Sequence, residues 1–288
     1  LVATDITVKS GDGQVGVIGQ PLAQPIVVHV LDQRGASLAN AVVSWTVLSG
    51  GGSVSAPTSL TDASGNASVT WTMGPTAGVN SLGAVIANGV SVTVTATAHT
   101  LQVVSATGDI AGAVNDYRTL LGTLNPNVAG EQPGGRREIN WDGVPAGFTN
   151  NDLFPGNFFN VNSPRGVLFT TPGSAFRISD NGYVDVDPNY AGEFNFFSPI
   201  KLFVARGSTI TDVRFVVAGS NTPATVTGFG SVFEDVGQAH STLIEYFDVD
   251  GNRLLTAVAP RASDARGLSF VGAVFDSRIV ARVRITAG

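Results

Sequence analysis

Nucleophilic hydrolysis needs a Ser or Thr within reach of a base, usually His, that a carboxylate orients. The chain has three His. His29 lies inside an alternating strand-like run and His99 just after another, which leaves His240 in Gln238-Ala-His-Ser241, with Glu234 and Asp235 upstream. No Gly-x-Ser-x-Gly elbow accompanies it, so these residues do not compose a triad. Carboxyl groups are more plentiful. Glu138, Asp142, Glu193, Glu234, Asp235 and Glu245 supply acids for the pair that glycoside hydrolysis uses, one of them with a raised pKa. An acidic chain always offers such pairs, and solvated or Arg-paired carboxylates explain them as well. No enzymatic activity is therefore expected, and a secreted glycan hydrolase or lyase ranks behind the binding and structural readings.

Calcium takes about six to eight oxygens from carboxylates, amides and carbonyls. Asp248, Asp250 and Asn252 in Asp248-Val-Asp-Gly-Asn252 place three such side chains at every second position and are the candidate metal ligands, with calcium the one cofactor considered. The distal Glu of a calcium loop is missing, and Asp250-Gly251 between apolar runs is itself a hairpin signal. Glu138, Asn140 and Asp142 likewise share one face of an extended segment, as a cation stripe or as an exposed polar face. Sugar recognition by a β-sandwich uses aromatic platforms flanked by amides and acids. The densest such mixture is Trp141, Asn150, Asn151, Asp152, Asn157 and Asn160, interleaved with Phe148, Phe154, Phe158 and Phe159. These six are the candidate ligand-binding residues; the alternative is that the rings pin a long loop as core. Tyr183 and Tyr190, with Asp185 and Asp187 between them, form a weaker second candidate.

The elements that must position these groups are strands. Of 288 residues 43% are hydrophobic and 13% charged, with 35 Gly and 14 Pro, a composition of buried side chains and frequent turns. Only two Lys and five Glu are present, so favoured helix formers are few and helices should be scarce. The net charge of −6 without a basic run excludes a phosphate-neutralising surface, so no nucleic-acid partner is expected. No uninterrupted apolar stretch of about 18 residues occurs, so no membrane insertion is expected of this chain, nor does Leu1 open a leader-like segment.

From Ile6 to Ala98, residues 26–31, 41–47, 67–72 and 90–96 alternate with period two, separated by Asp32-Gln-Arg-Gly35, Ser49-Gly-Gly-Gly52, Asp62-Ala-Ser-Gly-Asn66 and Gly74-Pro-Thr-Ala-Gly78. About seven short strands in under ~100 residues make a sandwich. Gly11-Asp-Gly-Gln14, Val43-Ser-Trp-Thr-Val47, Thr61-Asp-Ala-Ser-Gly-Asn-Ala67 and Val92-Thr-Val-Thr-Ala-Thr97 resemble the bacterial group 1 Ig-like domain of invasin and intimin stalks. That resemblance implies a rigid extracellular spacer over residues 1–99 and names no site.

Residues 100–288 begin a second architecture. Its first part is irregular, broken at Asn125-Pro-Asn127, Pro133-Gly-Gly135, Pro155-Gly-Asn157 and Ser163-Pro-Arg-Gly166, and its second part is a run of strands ending in residues 278–285. There Ile279, Ala281, Val283 and Ile285 face one way and Arg278, Arg282 and Arg284 the other, so a larger jelly-roll-like sandwich is expected. Gly135-Arg-Arg-Glu-Ile-Asn-Trp-Asp-Gly143, Ser163-Pro-Arg-Gly166, Gly228-Phe-Gly-Ser-Val-Phe-Glu-Asp-Val236 and Glu245-Tyr-Phe-Asp-Val-Asp-Gly-Asn252 resemble a domain of secreted bacterial proteins that often carry a Pro-Glu-Pro sorting anchor. The resemblance implies location more than chemistry.

The sequence thus predicts an all-β chain, an Ig-like β-sandwich followed by a jelly-roll-like one, secreted to the exterior or surface of a bacterium. Its expected role is adhesion or carbohydrate binding, with a cell-surface or matrix glycan, or another copy of itself, as partner. A subunit of a filament, surface layer or biofilm matrix is the structural alternative.

Overall fold

A computed structural model describes residues 1–262 and 266–288. The chain divides into two compact units, Leu1–Leu101 and Gln102–Gly288. In the first unit the strands are β1 (Ala3–Ser10), β2 (Gln14–Val17), β3 (Ile26–Asp32), β4 (Val42–Ser49), β5 (Gly52–Val54), β6 (Thr58–Leu60), β7 (Asn66–Val69), β8 (Trp71–Met73), β9 (Gly78–Ile86) and β10 (Ser91–His99). One sheet runs β1-β3-β7 and the other β2-β10-β9-β4-β6, with β2 parallel to β10 and the rest antiparallel. Alternation buries every second side chain. Ile26, Val28 and Val30 of β3 meet Val43, Trp45, Leu82, Ala84 and Val94 of the opposing sheet, with Trp71 and Met73 closing the same core. This is the sandwich that the period-two runs predict, of the Ig-like kind that the resemblance implies.

One turn device recurs. In Asp32-Gln-Arg-Gly35-Ala36 the Asp32 carboxylate accepts the Arg34 and Ala36 N–H groups at 2.8 and 3.0 Å, and Gly35, at φ +76°, donates to the Asp32 carbonyl. Asp62 does the same for Ser64 and Asn66, with Gly65 also at φ +76°. The left-handed position favours glycine and the carboxylate replaces water on the turn's N–H groups. These N–H bonds hold both carboxyls below their ordinary pKa, with Ala36 the largest cause at Asp32 and Asn66 at Asp62.

The second unit contains β11 (Leu101–Thr107), α1 (Ala111–Leu121), α2 (Phe158–Val161), β12 (Val167–Thr170), β13 (Ala175–Ser179), β14 (Leu202–Arg206), β15 (Ile210–Phe215), β16 (Gly228–Glu234), β17 (Leu243–Phe247), β18 (Arg253–Val258), β19 (Leu268–Phe275) and β20 (Arg282–Thr286). An antiparallel five-stranded sheet, β12-β15-β20-β17-β18, faces a three-stranded sheet, β11-β19-β16, and β13 and β14 pair separately. Fully buried Tyr246 joins the layers: its ring meets Phe275 at 6.0 Å and its hydroxyl donates to the Phe229 carbonyl. Residues 101–107 form a strand because β19 supplies an edge to pair with.

Helix α1 is the element the sequence did not predict. Ile110, Val114 and Tyr117 are buried and Leu121 half-buried, a spacing of four, three and four that puts them on one helical face, against Phe270 of β19. Their signal is short and interrupted by Gly112, so the strand-rich surroundings mask it. The charged face of β20 forms as expected over Arg282–Thr286. Asp212 accepts hydrogen bonds from both Arg282 and Arg284, and the Arg282 guanidinium lies 3.8 Å from the Phe247 ring centre. Arg278, by contrast, precedes the strand and reaches Glu131 and the Gln132 and Pro133 carbonyls. Among the described residues no helix is long and apolar enough to cross a membrane.

Trp71 has no exposed surface in the first core. Trp71→Ala is expected to lower the unfolding free energy of that unit by about 3–5 kcal/mol, read as a shift in denaturant midpoint.

Candidate functional site

The irregular segment between α1 and β14 is held by rings. Trp141 lies flat on Phe203 of β14, with centroids 4.2 Å apart at 0°, and packs edge-on to Phe154 and Phe159. Phe154, Phe158 and Phe159 are buried and touch one another, so they pin the loop as core. The predicted polar residues around them mostly serve this loop. Asn160, only 2% exposed, donates its amide to the Ser220 carbonyl and accepts the Gly219 N–H. The Asn151 amide closes a turn onto the Gly147 and Thr149 carbonyls, and its carbonyl accepts the Leu153 N–H. The Asn150 side chain donates to the Asp180 carboxylate and accepts the Asp180 N–H. Asp152 pairs with Arg177 at 2.8 Å, and exposed Asn157 precedes α2 without capping it. The fold therefore does not gather these six on one exposed face; Trp141 alone among them lines the cavity described below.

Asp248, Asp250 and Asn252 occupy the hairpin between β17 and β18. Asp248 accepts the Asp250 and Asn252 N–H groups at 3.0 and 2.8 Å, and Gly251 sits at φ +82°. This is the device already seen at Asp32 and Asp62, so the alternating acids serve backbone closure. A calcium ion there would have to compete with two N–H donors for one Asp248 oxygen. Among the described residues no group of three or more His, Asp or Glu side chains is gathered to hold a metal. The stripe of Glu138, Asn140 and Asp142 is similarly committed. Glu138 accepts both arms of Arg118 at 2.9 Å and Arg136 at 2.6 Å; Asn140 accepts the Asp142 N–H and the Ser198 hydroxyl; Asp142 accepts the Ile200 N–H. Burial pushes the Glu138 carboxyl up, but the two guanidiniums outweigh it and hold its pKa below the ordinary value.

The second unit contains a cavity of about 1390 Å³ beside β14 and β16. Trp141, Tyr190, Phe194, Phe203 and Phe229 give it aromatic walls. Two side chains that line it carry buried polar atoms with no hydrogen-bond partner among the described residues: the Tyr183 hydroxyl and both oxygens of Glu234. The Asn195 N–H lies near Glu234 without making a well-formed bond. Burial, reinforced by Asp235, pushes the Glu234 carboxyl up to about 7 against the opposing pull of Asn195 and Arg266. Burial also raises the Tyr183 phenol, with the Glu234 charge adding to it. Tyr183 stands at φ +63°, a backbone position costly for an aromatic residue, and its ring is held edge-on by Phe194. Beside it, Arg177 is buried and bonds Asp152, Asp185 and the Asn150 carbonyl. Burial would lower its pKa, but the two acids outweigh that and raise it.

Charge in the cavity is opposite to that of the chain. Arg118, Arg136, Arg137, Arg165, Lys201, Arg206 and Arg278 line it, seven of the sixteen basic residues, against Glu131, Glu138, Glu234 and Asp276. Of these groups the sequence singled out Trp141 strongly, Tyr183 weakly and Glu234 only as one acid among many. Arg137, Arg165 and Arg177 carried no signal beyond the adjacent Arg136-Arg137 and their place in resemblance motifs. His240 stands on an exposed turn, and the neighbouring Ser241 hydroxyl donates to the Gln238 and Gly288 carbonyls.

No family model and no curated protein matches the chain. Solved structures do. The D00-D0 domain of intimin is similar at 24% identity over 34% of this chain and 46% of that one, with a TM-score of 0.26. Domains 4 and 5 of the surface-layer protein SbsC are similar at 22% identity over the same shares, 34% and 46%, with a TM-score of 0.26. The adhesin InvE of Yersinia pseudotuberculosis is similar at 9% identity over 100% of this chain and 60% of that one, with a TM-score of 0.30. The chain spans under half the length of the first two. These neighbours are adhesin and surface-layer proteins, and intimin is one of the proteins whose stalk domain the motifs of residues 1–99 resemble.

A carboxyl that titrates near 4.5 when unfolded and near 7 when folded makes the folded chain bind the extra proton in between. Stability should therefore fall as pH rises from about 4.5 to 7 and level off above. Glu234→Gln should remove that slope, gaining roughly 1 kcal/mol over the parent above pH 7 after allowance for its half-exposed position, as melting temperature against pH would show.

Proposed function

We propose that this chain acts at the bacterial exterior as an adhesion or surface-layer protein, with the Ig-like unit as spacer and the second sandwich as the recognition module. The ligand in this reading is a saccharide held in the aromatic-walled cavity. The observation that carries it is the orphaned pair, Glu234 and Tyr183. A buried polar atom without a partner costs about 1–3 kcal/mol, so a cavity that keeps two such groups is suited to a ligand that satisfies them. A sugar hydroxyl both donates and accepts, and the apolar face of a pyranose stacks on rings. Binding without turnover is proposed because Glu138, another carboxyl of the cavity, spends both oxygens on arginines.

One observation favours a second reading. A carboxyl with a pKa near 7 is protonated as a glycosidase acid must be, so product release from oligosaccharides, abolished in Glu234→Gln, would replace binding by hydrolysis. The structural alternative draws on Val42 and Leu60, cross-strand partners on β4 and edge strand β6 that are both more than half exposed. Ordered polymers at micromolar concentration without any glycan signal would support it.

The direct test is binding of the full chain to an oligosaccharide array. Tyr183→Phe should weaken whatever saccharide binds by about tenfold while the melting temperature holds or rises, since an orphaned hydroxyl is removed; saccharide binding that is indifferent to both Tyr183→Phe and Glu234→Ala would place recognition elsewhere.

A further inference from the structure

Arg137 and Arg165 are the two arginines of the cavity wall that form no ion pair among the described residues. Arg137 donates to the Gly130 carbonyl at 3.0 Å and to that of Val128 at 3.5 Å. Arg165 donates to the Glu138 carbonyl and the Ser163 hydroxyl, and stacks 5.0 Å from the Phe159 ring centre. Among the described residues neither forms a salt bridge, and the carboxylate of Glu138, whose backbone carbonyl Arg165 binds, is already shared by Arg118 and Arg136. Burial lowers the pKa of both unpaired arginines, and at Arg165 the charge of Arg137 lowers it further.

Their proximity is built by the backbone. Gly166, at φ +72°, turns the chain where a side chain would strike the Val216 carbonyl, and the Arg137 guanidinium lies over the same point, 3.4 Å from where a Cβ would stand. Two separated motifs, Gly135-Arg-Arg-Glu138 and Ser163-Pro-Arg-Gly166, are thereby brought together. A like-charged pair that is half-buried and satisfied only by neutral acceptors is unfavourable until an anion arrives, and a planar guanidinium matches the oxygens of a carboxylate or sulfate. The positive wall, in a chain of net charge −6, also draws anions to the cavity.

From this geometry we infer that Arg137 and Arg165 form an anion subsite of the cavity, and that the ligand is an acidic saccharide whose carboxylate or sulfate ester they receive. The inference rests on the saccharide reading and names the class of sugar. It is tested by calorimetric titration of the full chain with three sets of oligosaccharides: uronate-bearing, sulfated, and the carboxyl-reduced or desulfated form of each. Sodium sulfate and sodium acetate are titrated alongside.

The expected result is that one acidic set binds at least tenfold more tightly than its neutral form. Arg137→Ala and Arg165→Lys should each weaken the acidic ligand by about 10- to 100-fold while leaving the neutral form's weaker binding unchanged. The uronate and sulfate sets tell the two anions apart. Arg165→Lys keeps the charge and loses the planar fork, and a melting curve on each variant separates misfolding from lost contacts. Equal binding of acidic and neutral forms, unmoved by either variant, would overturn the anion subsite and leave the saccharide reading standing. Sulfate or acetate binding that disappears in Arg137→Ala, with no oligosaccharide bound, would keep the subsite and sink the saccharide reading. Absence of all binding overturns both.

Discussion

Trp141 lying flat on Phe203 is the contact on which the second unit's irregular half depends. A long loop cannot bury its backbone without finding partners for each N–H and carbonyl, and it gains little from regular pairing. Here the rings supply the burial: Phe154, Phe158, Phe159, Phe169 and Phe176 continue the cluster from Trp141 to the sandwich. Side-chain amides then satisfy the backbone, as Asn160 does at Ser220 and Gly219. The same Asn residues that make the segment look like a sugar site are what allow it to be ordered.

With that half fixed, the cavity follows. Its floor is apolar and aromatic, and its polar groups fall into two kinds. Some are engaged, like Glu138 between two arginines. Others are left wanting among the described residues: Glu234 and Tyr183 lack hydrogen-bond partners, and Arg137 and Arg165 lack an ion-pair partner. Engaged groups stabilise the fold, whereas unmet ones cost stability and are tolerated where a ligand completes them. The Ig-like unit shows the contrast. Its turns at Asp32 and Asp62 each close on their own backbone.

Much of the architecture was legible in residue order. Period-two alternation gave β3, β4 and β10 in the first unit and β17 through β20 in the second, because which face a strand buries is set by neighbours two residues away. Turn chemistry was equally local: Asp-x-x-Gly followed by a strand reads as a turn at Asp32, Asp62 and Asp248 alike. At Asp248 the same pattern also admitted a cation, and only the N–H donors on its carboxylate showed what the oxygens do. Helix α1 escaped because its apolar face, Ile110, Val114, Tyr117 and Leu121, is too short to stand out, and it is stabilised by docking on Phe270 far along the chain.

By itself, then, the sequence determined an all-β chain, the Ig-like character of its first part, and a second sandwich with a loop-rich entry. It also showed a chain without cysteine and without a run of basic residues. Tertiary structure alone decided which polar groups meet and which go without a partner. Tyr183 and Glu234, or Arg137 and Arg165, lie far apart along the chain in segments with no shared periodicity. Their burial and charge balance depend on strand pairing and ring packing between distant residues, and no local pattern records that.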